Sequence, residues 1–391
     1  MLSWEQTPSF GPMRGCRAWV EVDLDALDHN VRQFKHQVGD QTQLMAVVKA
    51  DAYGHGAVKV AQTVLRAGAG ALGVATVPEG IELRAAGLQA PILVMGAVNR
   101  PEEVQAIARW QLQPTLVTPK QALIFSDTLA QLAPAHGLTV HLKLDTGMAR
   151  LGFPAAEALE FVRFVHPLPH LTIGGLYSHL ATADSPDPTT MTQQHQRFQA
   201  AIDQLTRQNL LPPRLHLANT AATLADPALH YDMVRVGLGL YGLYPAPHLE
   251  SVVDLKPVMQ VKARITLLKD LPAGTGVSYG HSYVTERPLR MAVVGIGYAD
   301  GVPRLLSNRL KVIIKGHLAP QIGTITMDQI MVDVTHIPGL QEGDLVTLIG
   351  QDGPHRITVD DWANLTQSIS WEILCGFKPR LPRLVAEPIR A

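Results

Sequence analysis

Cysteine is scarce in this chain of 391 residues: Cys16 and Cys375 stand far apart and form no metal-ligand or redox spacing. A disulfide framework is thereby excluded, and reduced thiols in a cytoplasmic protein are expected. Neither sign of charge is in excess. The formal net charge is -1 and there is no basic run, so nothing points to nucleic acid or an anionic membrane as a partner. No apolar run is long enough to span a bilayer, and the opening MLSWEQTPSFGPMRG has neither a basic n-region nor an apolar h-region. Residues 1–16 read as a loosely ordered tail. Apolar residues make up 46% of the chain, enough for one large α/β domain and a smaller partner.

A short run at 17–22, RAWVEV, has strand character, and Asp25 fits an N-cap for a helix reaching about Val38. One theme then recurs. Apolar β-type runs followed by helical patterns stand at 44–49, 71–77, 91–98, 112–118, 138–145, 171–179, 214–219 and 233–240. These eight runs are nearly continuous in apolar character, as strands covered by helices require. Eight strand-helix units in about 250 residues match a TIM (β/α)8 barrel over 17–257, with a doubly wound open sheet as the competitor. From about 258 to 391 the segments 261–268, 290–298, 311–314, 321–325, 330–334 and 345–349 are short and alternating, which predicts a mainly antiparallel β domain. Thr358 and Asp361 fit a capping box before a late helix. The run at 17–22, which precedes the barrel pattern, is a candidate to pair with this second domain.

Three motifs mislead. Gly68, Gly70 and Gly73 spell GxGxxG, but a helix precedes and a strand follows, the reverse of a phosphate cradle. Gly276, Ser278 and Gly280 spell GxSxG without the helix that a nucleophile elbow needs. His166 and His170 are separated by two prolines, which forbids the helical spacing of a zinc pair.

The stretch LMAVVKADAYGHGA carries a different signal. An apolar run ends on one amine, Lys49, before Gly54 and Gly56 break the chain. Desolvation would make that lysine a nucleophile or base; a side chain snorkelling to the surface is the alternative. In a barrel the active site lies at the C-terminal strand ends. Those ends carry Lys49 and Tyr53, then Lys143, Asp145 and Arg150, then His179, then Asn219 and Thr220, then Arg235 and Gly237. The last two strands end in LANTAA and RVGLGLYG, whose small residues and hydroxyl suit a phosphate monoester. A phosphate site beside a strand-end lysine suggests pyridoxal phosphate held as a Schiff base.

AVVKADAYGHGA, KLDTGMARLG, YSHLATAD, HLANTAA, MVRVGLGLYGL, GVSYGHSY, GIGYADG and TMDQIMVDV occur in that order. Together they resemble the alanine racemase family over nearly the whole chain. The resemblance implies a pyridoxal phosphate enzyme that interconverts L- and D-alanine, supplying D-alanine for peptidoglycan. It also implies a head-to-tail homodimer in which each second domain completes the other chain's site. Lys49 would carry the cofactor aldimine and serve the D-alanine face, with Tyr279 from the partner chain serving the L-alanine face. His179 and Arg235 would support Tyr279, and Arg235 would also donate to the pyridine nitrogen, which must then stay an unprotonated acceptor. Arg150 and the backbone of Met327 would hold the substrate carboxylate, with Asp328 and Tyr298 in support. Tyr53, Asn219, Thr220, Gly237 and Leu238 would contact the cofactor. Lys143 matches a lysine that many members carry as a carbamate; an ordinary ion pair with Asp145 is the alternative.

Departures from the family pattern are few. Trp371 stands where a tyrosine usually reaches the phosphate, and its indole can donate but not accept. Thr326 replaces a common cysteine, and Thr220 a commoner serine. A racemase for serine, lysine or several amino acids, a barrel-type decarboxylase and a cofactor carrier are the competing functions, although a carrier would need neither the second domain nor Tyr279.

Overall fold

The computed structural model describes residues 15–132 and 137–386, so all but the end of the expected tail lies outside the described residues. The chain divides into two compact units. One comprises residues 25–52 and 56–257; the other takes the chain up to Leu24, residues 53–55, and everything from Val258.

The second of these begins with strand β1 (Ala18–Val22). The barrel follows helix α1 (Leu24–Val38), whose Leu27, Val31, Phe34 and Val38 are buried at helical spacing. Asp25 sits inside its first turn, not at the cap expected from sequence. The barrel strands are β2 (Gln43–Val47), β3 (Ala71–Val74), β4 (Ile92–Ala97), β5 (Gln113–Leu116) and β6 (Leu138–Asp145). After the two-residue β7 (Phe153–Pro154) come β8 (Leu171–Tyr177), β9 (Leu215–His216) and β10 (Met233–Val236). They run parallel in the order β10-β2-β3-β4-β5-β6-β8-β9. Backbone bonds from Asp232 N to Leu215 O (3.1 Å) and Arg235 N to Ala218 O (3.0 Å) close the seam between β9 and β10. The eight expected runs are thus the eight strands of a barrel, with helices α2 (Lys49–Gly54), α3 (Ala57–Arg66), α4 (Val77–Ala85), α5 (Pro101–Arg109), α6 (Pro119–Leu132), α7 (Ala158–Val165), α8 (Thr189–Arg207) and α9 (Thr220–Ala225) among the connections.

Several strands stop earlier than their apolar runs, because caps and turns take the last backbone groups. The Glu79 carboxylate accepts from Ala75 N (2.7 Å) and Thr76 N (3.0 Å) past β3, and Asn219 caps α9 by accepting from Ala222 N at 3.0 Å. Past β2, the short α2 is not an ordinary helix. Ala50, Asp51, Ala52 and Tyr53 have φ of 53°, 53°, 53° and 54°, a left-handed turn that costs side-chain-bearing residues about 1–2 kcal/mol each. Within the barrel unit, Glu79 also accepts from Ala50 N (2.8 Å), Ala52 N bonds Val48 O (2.9 Å), and Asp51 accepts from Ala57 N (2.7 Å). These bonds offset the strain and set the direction in which the chain leaves Lys49.

In the other unit, β1 pairs antiparallel with β11 (Met259–Leu271). Then come β12 (Gly276–Val277), β13 (Tyr283–Val284), β14 (Leu289–Val294), β15 (Lys311–Ile314), β16 (His317–Pro320), β17 (Ile330–Asp333), β18 (Leu345–Asp352) and β19 (His355–Ile357). After helices α10 (Val359–Thr366) and α11 (Ser370–Gly376), β20 (Arg383–Val385) returns parallel to β1. All the other pairings are antiparallel. The run at 321–325 is not a strand. Only Gln321 bridges, to Val332, and Gly323 at φ 73° turns the chain away. The capping box of α10 forms as its sequence predicts, with Asp361 N donating to Thr358 Oγ1 at 3.0 Å and Thr358 N to Asp361 Oδ2 at 2.7 Å.

Candidate active site

In the barrel unit the polar residues gather at the C-terminal strand ends. Lys49 begins the left-handed turn one residue beyond Val48, half-buried. Lys143 on β6 is 6% exposed, its Nζ 5.3 Å from the centre of the Tyr177 ring. Burial first, then the charges of Arg235 and Arg150, pull its pKa down to about 8; Asp145 opposes and Lys49 adds to the fall. Asp145 does not pair with it. Its Oδ1 accepts from the backbone N–H of Gly147 (2.8 Å), Met148 (3.0 Å) and Ala149 (3.2 Å), organising the loop that carries Arg150. Arg150 itself is exposed and has no ion pair among the described residues.

Arg235 on β10 is 3% exposed. Nη1 donates to His216 O (3.0 Å) and Nδ1 (3.2 Å), and Nη2 to Ser178 O (2.8 Å), Leu217 O (3.1 Å) and His179 Nδ1 (3.1 Å). Carbonyl oxygens and imidazole lone pairs therefore hold this charge, and among the described residues no carboxylate does. Burial lowers its pKa to about 10, which leaves it protonated at neutral pH. Its five bonds all come from Nη1 and Nη2; among the described residues Nε makes none. Burial, then the charge of Arg235, pushes the His179 imidazole well below its usual range. A neutral His179 that accepts at Nδ1 carries its proton on Nε2.

Past β9, Thr220 Oγ1 accepts from Gly237 N at 3.1 Å, and Leu238 is buried beside it. Asn219 Oδ1 is spent on the α9 cap. YSHLATAD and HLANTAA open on two further residues to which sequence reading gives no role: Tyr177, which strand alternation puts on the face of His179, and His216 at the end of β9. The Tyr177 ring stacks on His216 at 4.6 Å between centroids and lies 5.1 Å from the Arg235 Cζ.

The other unit holds the remaining candidates. Tyr279 is 74% exposed, in a turn flanked by Ser278 (φ 62°) and Gly280 (φ 70°). It lines a cavity of about 710 Å³ with Met327 and Asp328. Met327 is 52% exposed; its carbonyl accepts from Ala299 N at 3.0 Å, while its own N–H makes no bond among the described residues. Asp328 is paired with Arg380 at 2.7 Å. Tyr298 is 41% exposed, its N–H bonded to Thr326 O at 3.0 Å. Tyr53 is buried, which raises its pKa, and Trp371 is half-buried on α11. Ser278 of the GxSxG string donates to Thr324 O at 2.7 Å, a structural use of the hydroxyl, and among the described residues no cluster of His, Cys, Asp or Glu could hold a metal ion.

Comparison with known proteins agrees with this geometry. The family model for the alanine racemase N-terminal domain matches residues 22–245, and that for the alanine racemase C-terminal domain matches 258–385. An alanine racemase of Nostoc sp. is 63% identical over 94% of this chain and 95% of its own length, and one of Synechocystis sp. is 62% identical over 94% and 99%. Among solved structures, an alanine racemase of Clostridium difficile 630 has a TM-score of 0.89 at 32% identity, covering 94% of this chain and 95% of that one. An alanine racemase of Bartonella henselae with covalently bound pyridoxal phosphate has a TM-score of 0.84 at 29% identity, covering 95% and 100%. The chain belongs to the alanine racemase family.

Proposed function

We propose that this chain is an alanine racemase that interconverts L-alanine and D-alanine with pyridoxal phosphate as cofactor, supplying D-alanine for peptidoglycan in the cytoplasm. The observation that carries it is the charge of the barrel mouth. Lys49, Lys143, Arg150 and Arg235 influence one another there, and the nearby Asp145 is engaged by backbone N–H groups. Such a mouth suits an anionic cofactor and a substrate carboxylate.

The residues present fit pyridoxal phosphate. Lys49 offers an amine at the barrel mouth, the Thr220 hydroxyl, which accepts from Gly237 N, keeps its own hydrogen to donate to a phosphate, and Arg235 Nε–H is the donor that its other bonds leave over. When bound, the cofactor supplies a conjugated ring that draws electrons from the amino acid joined to it and acidifies its α-hydrogen. Arg235 can only donate, so it would leave the ring nitrogen an unprotonated acceptor and moderate that withdrawal. Arg150 holds the substrate carboxylate, with the Met327 N–H as a second donor. Inversion needs a base on each face of the α-carbon. Lys49 Nζ takes or returns the proton on the D-alanine face and Tyr279 Oη on the L-alanine face. A phenol is a weak base, so Tyr279 is supported in this reading by a donor beside its oxygen, a part for the Nε2–H that a neutral His179 carries. In this reading Trp371, in place of the usual tyrosine, can act as a donor only.

Tyr279 comes from a second protomer in this proposal, in a head-to-tail homodimer. Its 74% exposure, with that of Met327 around the same cavity, supports the assembly, because neighbouring exposed apolar groups mark an interaction surface. Lys143, neutral more often than an ordinary lysine, is a candidate for carbamylation, which would replace a cation by an anion facing Arg150.

Chiral chromatography of alanine after incubation with the purified protein and pyridoxal phosphate tests the function. Interconversion from both enantiomers is expected. Carbon dioxide release, or faster turnover of serine or lysine, would replace it by one of the competing activities.

A further inference from the structure

Behind Arg235 the barrel interior contains a line of polar side chains that none of the roles above uses. His216 on β9 and His141 on β6 are 0% and 1% exposed. Arg235 Nη1 is 3.2 Å from His216 Nδ1, His216 Nε2 is 3.0 Å from His141 Nδ1, and His141 Nε2 is 3.3 Å from Gln113 Oε1 on β5. The line thus runs from β10 through β9 and β6 to β5. Its rings are hemmed in. The two imidazoles meet edge to face at 5.1 Å, and Tyr177 covers His216, with its hydroxyl held by Thr115 at 2.8 Å. Gly175 on β8 makes room for His141, since a Cβ there would lie 2.5 Å from its Nδ1.

The chemistry of the two ends gives the line one direction. A guanidinium has donors and no acceptor, so His216 must turn a lone pair on Nδ1 toward it and carry its proton on Nε2. That N–H then requires a lone pair on His141 Nδ1, which puts the His141 proton on Nε2, and that proton needs the carbonyl oxygen of Gln113. Protonating either ring, or switching either tautomer, would set two donors face to face in a site closed to water. Burial, followed for His141 by the charge of Arg214 and for His216 by that of Arg235, lowers both imidazole pKa values, that of His141 to about 4, in keeping with two neutral rings.

We infer that Gln113 and His141 are positioning residues which, through His216, hold the Arg235 guanidinium in one orientation and one hydrogen-bonding sense. The inference rests on the proposed function in one respect, that Arg235 faces the cofactor ring. The relay moves no proton; it fixes where protons stay. Its far end lies on a strand that contributes none of the candidate site residues, and the hydrogen-bonded route from Gln113 to Arg235 passes through two imidazoles.

Two measurements on the full-length protein separate this inference from the function it rests on. Nitrogen-15 NMR of histidine-labelled protein, with pyridoxal phosphate bound and after its removal, is expected to give an acceptor-type Nδ1 and a protonated Nε2 for both His141 and His216 in either form. In Gln113→Leu that pattern should be lost at His141. The second measurement compares His141→Leu with His141→Asn, whose Oδ1 can still accept from His216 Nε2. His141→Leu is expected to lower kcat about 10-fold to 100-fold, as removal of the outer partner of a metal ligand does, with KM little changed and the absorbance band of the bound cofactor shifted. His141→Asn should restore most of kcat and the band. A purely structural role would lower the thermal midpoint of both variants alike and leave band and kcat per folded molecule unchanged. That result, or a protonated Nδ1 on either histidine in the wild type, overturns the inference. A wild-type protein with the expected NMR pattern and no racemisation would overturn the function and leave the relay standing.

Discussion

Thr324 holds Tyr279 by its main chain: the Thr324 hydroxyl donates to the Tyr279 carbonyl at 2.8 Å, and Ser278 Oγ donates back to the Thr324 carbonyl at 2.7 Å. An exposed tyrosine has little packing to fix it, so this reciprocal pair, with Ser278 in a strained φ, sets where its ring projects. Thr324→Val, which keeps the shape and removes the hydroxyl, is expected to lower kcat from L-alanine about 5-fold to 10-fold, corresponding to a neutral hydrogen bond of about 1 kcal/mol. Thr324→Ser should retain activity. Steady-state kinetics from each enantiomer, beside thermal midpoints, would decide the matter; equal loss in both variants would remove Thr324 from the account.

The opposed-base roles make an asymmetric prediction. Lys49→Ala should lose the cofactor band and turnover together. Tyr279→Phe should lose exchange of the α-proton with solvent chiefly when L-alanine is the substrate, read by deuterium incorporation from heavy water. Equal loss from both enantiomers would argue against the assignment.

Shared sites can be tested by complementation. When inactive Lys49→Ala and Tyr279→Phe proteins are mixed under conditions that exchange protomers, half of the dimers become hybrids. Each hybrid has one doubly altered and one intact site, so activity should return to about a quarter of wild type under the symmetric-dimer arrangement. No recovery, with exchange verified by mass spectrometry, would place both residues in sites built from one chain.

Lys143 links pH to stability. Its pKa falls from the ordinary 10.5 to about 8 in the folded protein, so between those values the unfolded chain binds a proton that the folded one releases, and stability rises with pH across that window. Below about 8 the full penalty, about 3 kcal/mol, opposes folding. In carbon dioxide-free buffer Lys143→Met is therefore expected to stabilise most at neutral pH and to lose that advantage as pH approaches 10.5. Added carbon-13 bicarbonate should give a protein-bound carbamate signal in the wild type and none in the variant.

The left-handed turn after β2 reverses a familiar sign. Ala→Gly inside a right-handed helix costs about 1 kcal/mol, whereas at Ala50, exposed and with φ 53°, glycine relieves strain. Ala50→Gly is expected to leave unfolding free energy unchanged or raise it by up to about 1 kcal/mol. Glu79→Ala, which orphans the N–H groups of Ala50, Ala75 and Thr76, should lower it by about 1–3 kcal/mol and reduce cofactor retention, measured by dialysis. A helix-like loss at Ala50→Gly would contradict this view of the turn.

Much of this protein is written locally. Continuous apolar runs separated by helical patterns specify eight parallel strands because each run must be buried on both faces, and the alternating segments after 257 specify a sheet with a different covering. The Thr358–Asp361 box forms because a cap needs only residues three apart. Lys49, Arg150 and Tyr279 were legible as ordered motifs carrying uncommon chemistry. The strand ends were less so: the apolar runs continue past them, although the caps by Glu79 and Asn219 act over three or four residues, and only the bond from Ala50 N to Glu79 joins segments far apart in sequence. The absence of strand at 321–325, where Gly323 turns the chain, was not legible.

LMAVVKADAYGHGA by itself determined that an amine stands where a buried strand stops. Whether Lys143 would pair with Asp145, which way the chain would turn after Lys49, and what would hold Arg235 were decided only by tertiary structure. Closing the barrel brings residues from β5, β6, β9 and β10 within 3.3 Å of one another in sequence, and the direction of their hydrogen bonds follows from donors and acceptors that no local window contains.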